Sequence, residues 1–497
     1  MRKRMIGILP TLFLCLGVLH GAIFAADAGT NTAEHSHSIC GVECRDSNRH
    51  KDIVWTGVSS LDEIKTSGNY YLVNDVEPIA TWKPADGVKL CLNGKTIRCK
   101  AWGAAIQVNP DVTFTLTDCT DKGSIIHGTG IERTNGKSFA YSGSGICVDG
   151  GRFVMEGGII TGNGNGRYSY LSEYSPYEIY NVDGGGVKVN SGSFIMNGGK
   201  INGNVIGDCF QQSTYADTQP DIDCRHGGGV YLGSSASFTM NDGEIKENSV
   251  KGYQESKGGG VYISDGAVFT MNGGSITGNK TYGSNSSNMG NAFGSAVYIA
   301  ENDISTAGGS FIMNGGAITN NQAITGIGGN GAIYCEPGGS LLLDGKINIS
   351  GNTHVREAGT VLPSQLEKEP LSSNIYLNSK SYGNDNAVHA EFKTGKSLNP
   401  TSKIGVRISA WCCPTMDSPL TLSSAFSENY ADYFQSDDQN FALGEVDGVL
   451  KVWCRDRTVT IQSNNTLWSS IETVSKSLLQ LSYGSDLYVN AYCAVLP

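Results

Sequence analysis

The stretch from Gly258 to Asn279 reads GGGVYISDGAVFTMNGGSITGN and contains three short apolar runs separated by glycine and asparagine. The runs are Val261 to Ile263, Phe269 to Met271, and a third centred on Ile276. Alternation along a strand places their large apolar side chains on one side. Strands this short bury nothing alone. The pattern therefore predicts a coil whose strands stack on those of neighbouring coils, about 4.8 Å away.

The phrase returns along the chain, and a recurring phrase of this length identifies a repeat architecture. The other copies run from Gly143 to Asn163, Gly184 to Asn204, Gly227 to Asn248, Gly294 to Asn321 and Gly331 to Asn352. Stacking the copies predicts two interior columns and a hydrogen-bonded ladder at one corner. They are the column Phe153, Phe194, Phe238, Phe269 and Phe311, the column Met155, Met196, Met240, Met271 and Met313, and the ladder Asn163, Asn204, Asn248, Asn279, Asn321 and Asn352.

The spacing of the copies separates a solenoid from a β-propeller. Successive methionines of the second column are 41, 44, 31 and 42 residues apart, whereas propeller blades repeat at a nearly constant length. The extra residues fall after the Gly-Asn corner, and solenoids tolerate insertions at one corner. We therefore predict an all-β fold, a right-handed parallel β-helix solenoid with an N-terminal cap and loop insertions at one corner.

Six segments follow from the composition along the chain. We predict a signal peptide (1–26), a polar leader (27–51), an N-terminal cap (52–85), the parallel β-helix with Gly-rich repeats (86–352), irregular C-terminal coils and a cap (353–455), and a short C-terminal segment of unknown fold (456–497). Within the last segment, Ser470 to Leu481 has the composition of a short helix.

The first residues predict export. Met-Arg-Lys-Arg precedes an apolar run from Met5 to Leu19 and small residues near Ala25 to Ala28, the pattern of a secretory signal peptide. No later segment is long and apolar enough to span a bilayer. We expect a secreted, extracellular or cell-surface protein without a transmembrane span, and a monomer. Without the first 26 residues, 33 basic stand against 47 acidic residues, which argues against nucleic acid as a partner.

Cysteine usage leaves two questions open. Of the 14 cysteines, Cys15 lies in the signal peptide, so an odd number remains in the mature chain. Cys209 and Cys224 flank one insertion and are the best candidate disulfide pair. His37, Cys40, Cys44 and His50 of the leader have zinc-ligand chemistry, but a disulfide or two free thiols is the preferred explanation of the cysteines. We predict no metal and no cofactor.

By these phrases the chain resembles a known group of proteins. GGGVY, FTMNGG and ITGN resemble the repeats of pectin-lyase-like, right-handed parallel β-helix surface proteins, the adhesin-like secreted proteins of anaerobic bacteria. The resemblance extends from about Trp55 to Trp453. It implies the β-helix fold and a binding or display role at a cell surface, while the same fold also carries enzymes.

The insertions are the predicted binding surface, because tyrosine offers a large contact area with a polar tip. One insertion carries the candidate ligand-binding residues Tyr168, Tyr170, Tyr174, Tyr177 and Tyr180. We expect the ligand to be an extracellular glycan or a host or cell-surface protein. The alternative is that these tyrosines pack back onto the solenoid.

A polysaccharide lyase or glycoside hydrolase is the alternative function. Such enzymes need carboxylates or cations on outward positions of adjacent coils. The outward positions of the second strand are short and uncharged: Val154, Ile195, Thr239, Thr270 and Ile312. His127 and His226 stand beside glycine and have the pattern of turn residues. We assign no catalytic residue.

Overall fold

The structure is a computed structural model. It describes residues 54–128, 131–134, 137–140, 143–164, 167–169, 178–180, 183–207, 224–252, 255–283, 291–301, 307–325, 330–356, 370–381, 387–409, 414–415, 417–423, 430–461 and 472–477.

The fold is a parallel β-helix. A single hydrogen-bonded network of 27 strands runs through the solenoid, and each coil pairs in parallel with the coils before and after it. The predicted first, second and third strands of the central coil are Val261–Ile263, Val268–Met271 and Ser275–Thr277. The all-β prediction and the three-strand pattern of the coil are therefore confirmed.

Three faces of the solenoid carry these strands, and each face is named here by its characteristic side chain. The tyrosine face holds Ile106–Val108, Val261–Ile263, Val297–Ile299, Ile333–Cys335, Ile375–Leu377, Ile404–Ile408 and Phe434–Ser436. The phenylalanine face holds Val88–Cys91, Thr113–Thr117, Val268–Met271, Phe392–Thr394 and Leu420–Ser423. The isoleucine face holds Thr96–Cys99, Ser124–His127, Ile159–Thr161, Lys200–Asn202, Glu244–Lys246 and Ser275–Thr277.

Some strands continue around a corner from one face to the next. Ile146–Met155, Val187–Met196 and Val230–Met240 join the tyrosine and phenylalanine faces. Ser310–Thr319 and Ser340–Ser350 join the phenylalanine and isoleucine faces.

The predicted columns lie in register inside the solenoid. Phe153 pairs with Phe194 and Met155 with Met196, and the same partners recur coil after coil as far as Phe311 and Met313. The phenylalanine rings stack nearly parallel, with centroids 4.5 to 5.0 Å apart from Phe153 onward. Such pairs add to the stabilisation from burial.

The asparagine ladder is also confirmed. The Asn204 amide donates to Asn248 Oδ1 at 2.9 Å, and the Asn248 amide donates to Asn279 Oδ1 at 3.0 Å. All six predicted ladder asparagines are buried. Each amide therefore satisfies polar groups that the corner would otherwise leave unpaired.

The second glycine of the Met-Asn-Gly-Gly phrase packs closely against the methionine column. Gly274 has a φ of +76°, and a Cβ there would lie 2.7 Å from Met240 Cε and 2.6 Å from the Gly243 carbonyl oxygen. A larger residue is excluded both by this close approach and by the left-handed conformation.

A fourth strand per coil follows the Gly-Asn corner and was missed by the sequence analysis. This corner sheet contains Val205–Ile206, Ser249–Lys251, Lys280–Tyr282, Gln322–Thr325 and Thr353–Arg356, with Leu371–Ser372 antiparallel at its end. Beyond it, three coils return to the tyrosine face through the insert sheet, Cys224–His226, Glu255–Lys257 and Asn291–Phe293. Insertions leave from this corner as predicted, but the chain also carries extra residues between Ile299 and Ser310 and between Leu377 and Phe392, where it passes from the tyrosine face to the phenylalanine face.

Short elements complete the chain. Thr56–Val58 and Gly68–Leu72 pair in parallel at the N-terminal end, with a 3₁₀ turn at Leu61–Glu63. A second 3₁₀ turn spans Tyr430–Tyr433. The antiparallel hairpins are Ile131–Thr134 with Lys137–Ala140, Arg167–Ser169 with Glu178–Tyr180, Ser379–Ser381 with Ala387–His389, Phe441–Val446 with Val449–Cys454, and Asp456–Ile461 with Glu472–Ser477.

The helix predicted over Ser470 to Leu481 is wrong. Glu472–Ser477 is a strand that pairs antiparallel with Asp456–Ile461. Three residues of this segment, Thr473, Val474 and Ser475, favour extended backbone or turns over helix.

Candidate functional site

A row of five tyrosines runs along the outside of the tyrosine face, one from each of five consecutive coils. They are Tyr231, Tyr262, Tyr298, Tyr334 and Tyr376, each paired in register with the next. Successive ring centroids lie 5.0 to 5.5 Å apart, and neighbouring planes are within 8° of parallel. The five rings thus form a continuous stack parallel to the solenoid axis.

The row arises because, in each of these strands, one tyrosine stands between two apolar residues in the sequence. In Val261-Tyr262-Ile263, Val261 and Ile263 are fully buried and Tyr262 is half-buried on the opposite side. Parallel stacking in register then places the tyrosines above one another.

The centre of the row is covered. Tyr298 and Tyr334 are only 3% exposed and pack with Ala300, while Phe293 of the insert sheet lies 4.7 Å from Tyr334 between ring centroids. The Tyr298 hydroxyl donates to Glu336 Oε1 at 2.8 Å. Burial, followed by the nearby Glu336 carboxylate, raises the pKa of both tyrosines well above its usual value.

The N-terminal end of the row is more open and carries charge. Tyr231 and Tyr262 are half-buried, and Lys188 Nζ lies 5.6 Å from the Tyr231 ring centroid, in cation–π range. Burial, together with Asp183 and Asp265, raises the pKa of Tyr231 to about 12. The phenol therefore stays a neutral donor across the physiological range.

His226 joins this end of the row to a carboxylate. It is the last residue of Cys224–His226, its ring lies 4.3 Å from that of Tyr262, and its Nδ1 lies 3.2 Å from Asp183 Oδ1. A carboxylate beside one imidazole nitrogen fixes the tautomer and leaves the other nitrogen as an acceptor. His226 is thus part of a side-chain cluster, which its Gly-flanked sequence context did not reveal.

Charged groups continue along the row. Lys257 Nζ lies 5.2 Å from the Tyr298 ring centroid and 2.7 Å from Glu255 Oε2. In the coil after Tyr376 the same register position is Arg407, which pairs with Asp438 at 3.6 Å. The aromatic row therefore begins at one cation, Lys188, and ends at another, Arg407.

The residues predicted for ligand binding are only partly described. Tyr168 and Tyr180 lie in the antiparallel strands Arg167–Ser169 and Glu178–Tyr180. Tyr170, Tyr174 and Tyr177 lie outside the described residues. Of the candidate disulfide pair, Cys224 begins a strand of the insert sheet and Cys209 lies outside the described residues.

The phenylalanine face offers no polar cluster on the outward positions considered for catalysis. Val154, Ile195 and Thr239 lie side by side on adjacent coils, followed by Thr270 and Ile312. Across the residues that the structure describes, no group of three His, Cys, Asp or Glu side chains is placed to hold a metal ion. The same residues contain no helix long and apolar enough to cross a membrane.

Comparison with known proteins gives no match for this chain, neither to a protein-family model nor to a curated protein nor to a solved structure.

Proposed function

We propose that this protein is a secreted or cell-surface β-helix of the pectin-lyase-like type that acts as an adhesin-like binding module for an extracellular glycan or protein. The observation that carries the proposal is the tyrosine row. Two of its rings, Tyr298 and Tyr334, are buried beneath Phe293, whereas Tyr231 and Tyr262 stay half-buried and open to a ligand.

The open N-terminal end of the row has the mixture expected of a recognition surface. Half-buried Tyr231 and Tyr262 supply aromatic area, while Lys188, His226 and Asp183 supply directional polar contacts. Aromatic and cationic residues at the centre of a contact surface are typical of binding hot spots. Parallel strands on both sides hold Tyr231 and Tyr262 in place, which lowers the entropy lost on binding.

The test is binding of the mature chain to a glycan array and to a panel of host surface proteins. Tyr262→Ala is expected to weaken binding at least about tenfold, the effect of removing one hot-spot side chain worth more than about 1.4 kcal/mol. Thr270→Ala is the matched control, because Thr270 points outward from the same coil on the phenylalanine face. Equal binding by both variants and the wild type would remove the tyrosine row from the proposal.

A deletion separates this surface from the Tyr-rich insertion. A variant lacking residues 165–181 removes all five of its tyrosines, Tyr168, Tyr170, Tyr174, Tyr177 and Tyr180. Loss of binding with Tyr262 intact would assign recognition to the insertion, and undiminished binding would exclude it.

A polysaccharide lyase or hydrolase is the second candidate, favoured by the Asp183–His226 contact. Asp183 would orient the ring and His226 would act as a general base beside Tyr262. Incubation with pectin-type polysaccharides tests this directly. Release of unsaturated or reducing sugars that is lost in His226→Gln would establish an enzyme, and no release by the wild type would leave binding as the function.

A further inference from the structure

Two thiols meet outside the main core, at the N-terminal end of the solenoid. Cys91 is fully buried and Cys119 is partly exposed, and both belong to a small cluster with Tyr71 and Trp55. Both sulfurs are thiols in the structure. Neither residue belongs to the tyrosine row, and the binding proposal makes no use of them.

Strand register brings the two residues together. Cys91 ends Val88–Cys91 and pairs with Thr117, two residues before Cys119. Val88 and Leu90 face the main core, so alternation turns Cys91 outward beneath the turn that follows Thr117.

Asp118 holds that turn in place. Its carboxylate accepts hydrogen bonds from the backbone N–H groups of Gly94 at 2.7 Å, Lys122 at 2.8 Å and Gly123 at 2.9 Å. Bonds from several N–H groups to one carboxylate are strong. Cys119, the next residue, is therefore fixed over the end of the Cys91 strand.

Asn93 links the two sulfurs from the other side. Its backbone N–H donates to Cys91 Sγ at 3.3 Å, and its Oδ1 accepts from Cys119 Sγ at 3.6 Å. The thiols also hydrogen-bond to each other. Burial raises the pKa of Cys119, and the bond with Cys91 acts in the opposite direction. Burial, and then the neighbouring Cys119, raises the pKa of Cys91 far above its usual value.

We propose that Cys91 and Cys119 form a disulfide bond when the folded protein meets a small-molecule disulfide, and that this bond ties strand Val88–Cys91 to the turn that follows strand Thr113–Thr117. The more exposed Cys119 reacts first, because thiol–disulfide exchange needs access to the attacking thiolate.

The chemistry balances in two exchanges. The Cys119 thiolate attacks one sulfur of the small disulfide, releases one thiol and forms a mixed disulfide. Cys91 Sγ then attacks Cys119 Sγ, and the second small-molecule sulfur leaves as a thiolate that takes up the Cys91 proton. Two protein thiols are oxidised to one Sγ–Sγ bond, and the small disulfide is reduced to two thiols.

The bond closes a loop of about 29 residues, and a loop of that size is expected to stabilise the fold. The oxidised protein should therefore melt a few degrees higher than the reduced protein.

The experiment uses the reduced full chain under native conditions, with oxidised glutathione as the probe. After alkylation and proteolysis, mass spectrometry should find the Cys91 and Cys119 peptides joined and not alkylated. Cys147→Ser should leave this link intact, because Cys147 lies on the tyrosine face, where its sulfur contacts the Asn190 amide at 3.7 Å. Cys119→Ser should leave Cys91 reduced and unmodified.

Two results would overturn the proposal. One is a Cys119 that retains glutathione as a stable adduct, because Cys91 then fails to reach it. The other is recovery of both peptides alkylated after the treatment. Both results are read on the wild-type chain, so the outcome does not depend on any variant folding.

Discussion

Asn248 lies in the middle of the buried asparagine ladder described above, called the inner ladder from here on. The hydrogen bonds between its asparagine side chains run in one direction along the solenoid. From Asn163 onward each amide donates one hydrogen bond to the asparagine of the next coil, and this series finishes on the Asp437 carboxylate, which accepts from Asn374. A second, more exposed ladder runs the opposite way. Asn314 donates to Asn272, and the chain ends where Asn197 donates to Glu156. Each ladder therefore terminates on a carboxylate, which accepts hydrogen bonds but has no N–H to donate onward.

The two ladders give a matched pair of mutations. Asn248→Ala removes a buried amide that accepts from Asn204 and donates to Ile201 O and Asn279 Oδ1. Several buried groups lose a partner, so we expect a loss of about 3 kcal/mol or more in the free energy of unfolding. Asn272→Ala removes an exposed amide with similar geometry, and should cost less than about 1 kcal/mol. Urea unfolding measures both, and equal losses would contradict the assigned burial.

His127 begins the inner ladder, with Nδ1 2.8 Å from Asn163 Oδ1 and Nε2 2.9 Å from the Gly103 carbonyl oxygen. Burial lowers its pKa, and this effect exceeds the opposing one of the two hydrogen bonds. The unfolded chain therefore binds more protons than the folded chain below about pH 6.5. Stability should be fully present above that pH and fall as the pH drops through the folded pKa.

The check is the free energy of unfolding of the wild type and His127→Gln between about pH 5 and pH 7. The variant should be less stable at neutral pH, yet show a smaller decrease as the pH falls. An unchanged pH dependence would mean that His127 is not the group responsible.

At the scale of the element, the Gly-Gly-Gly phrase sets how closely adjacent coils approach at the tyrosine face. A Cβ on Gly229 would lie 2.6 Å from the Gly260 carbonyl oxygen and 2.9 Å from Ile245 Cγ2. The residue in the same register two coils later is Ala296, which shows that the demand for glycine relaxes along the solenoid.

This difference predicts the effects of two opposite substitutions. Gly229→Ala should destabilise the fold by about 1–3 kcal/mol, because backbone must move to admit the methyl group. Ala296→Gly should cost only about 0.5–1 kcal/mol, from the greater freedom of the unfolded chain. Thermal or urea unfolding compares them, and a tolerated Gly229→Ala would show that the coils separate more easily than the packing implies.

The strands also show which features of the fold can be predicted from the sequence. Phe269, Met271 and Ile276 could be assigned to interior columns because alternation and repetition agree. The corner strand Ser249–Lys251 was missed because three residues with one buried valine carry no periodic signal. The tyrosine row was within reach of the same alternation that buries Val261 and Ile263.

At the scale of the whole molecule, each coil places its side chains one strand spacing away from the equivalent side chains of the next coil. The insertions do not repeat from coil to coil, so their sequence predicts neither strand register nor side-chain contacts. The scaffold was accordingly predictable, whereas the site was not. His226 reaches Tyr262 and Asp183 only because the insert sheet returns alongside the tyrosine face.

Removal of one complete coil tests the β-helix most directly. His226 and Lys257 occupy the same register position, so deletion of residues 227–257 joins equivalent points of neighbouring coils. The shortened chain should keep its β-rich circular dichroism spectrum and unfold cooperatively in urea, because nearest-neighbour stacking is preserved. Deletion of residues 238–257 removes the second and third strands but leaves the first, and should abolish cooperative unfolding. If both deletions unfold alike, or if the complete-coil deletion fails to fold, the register described here is contradicted.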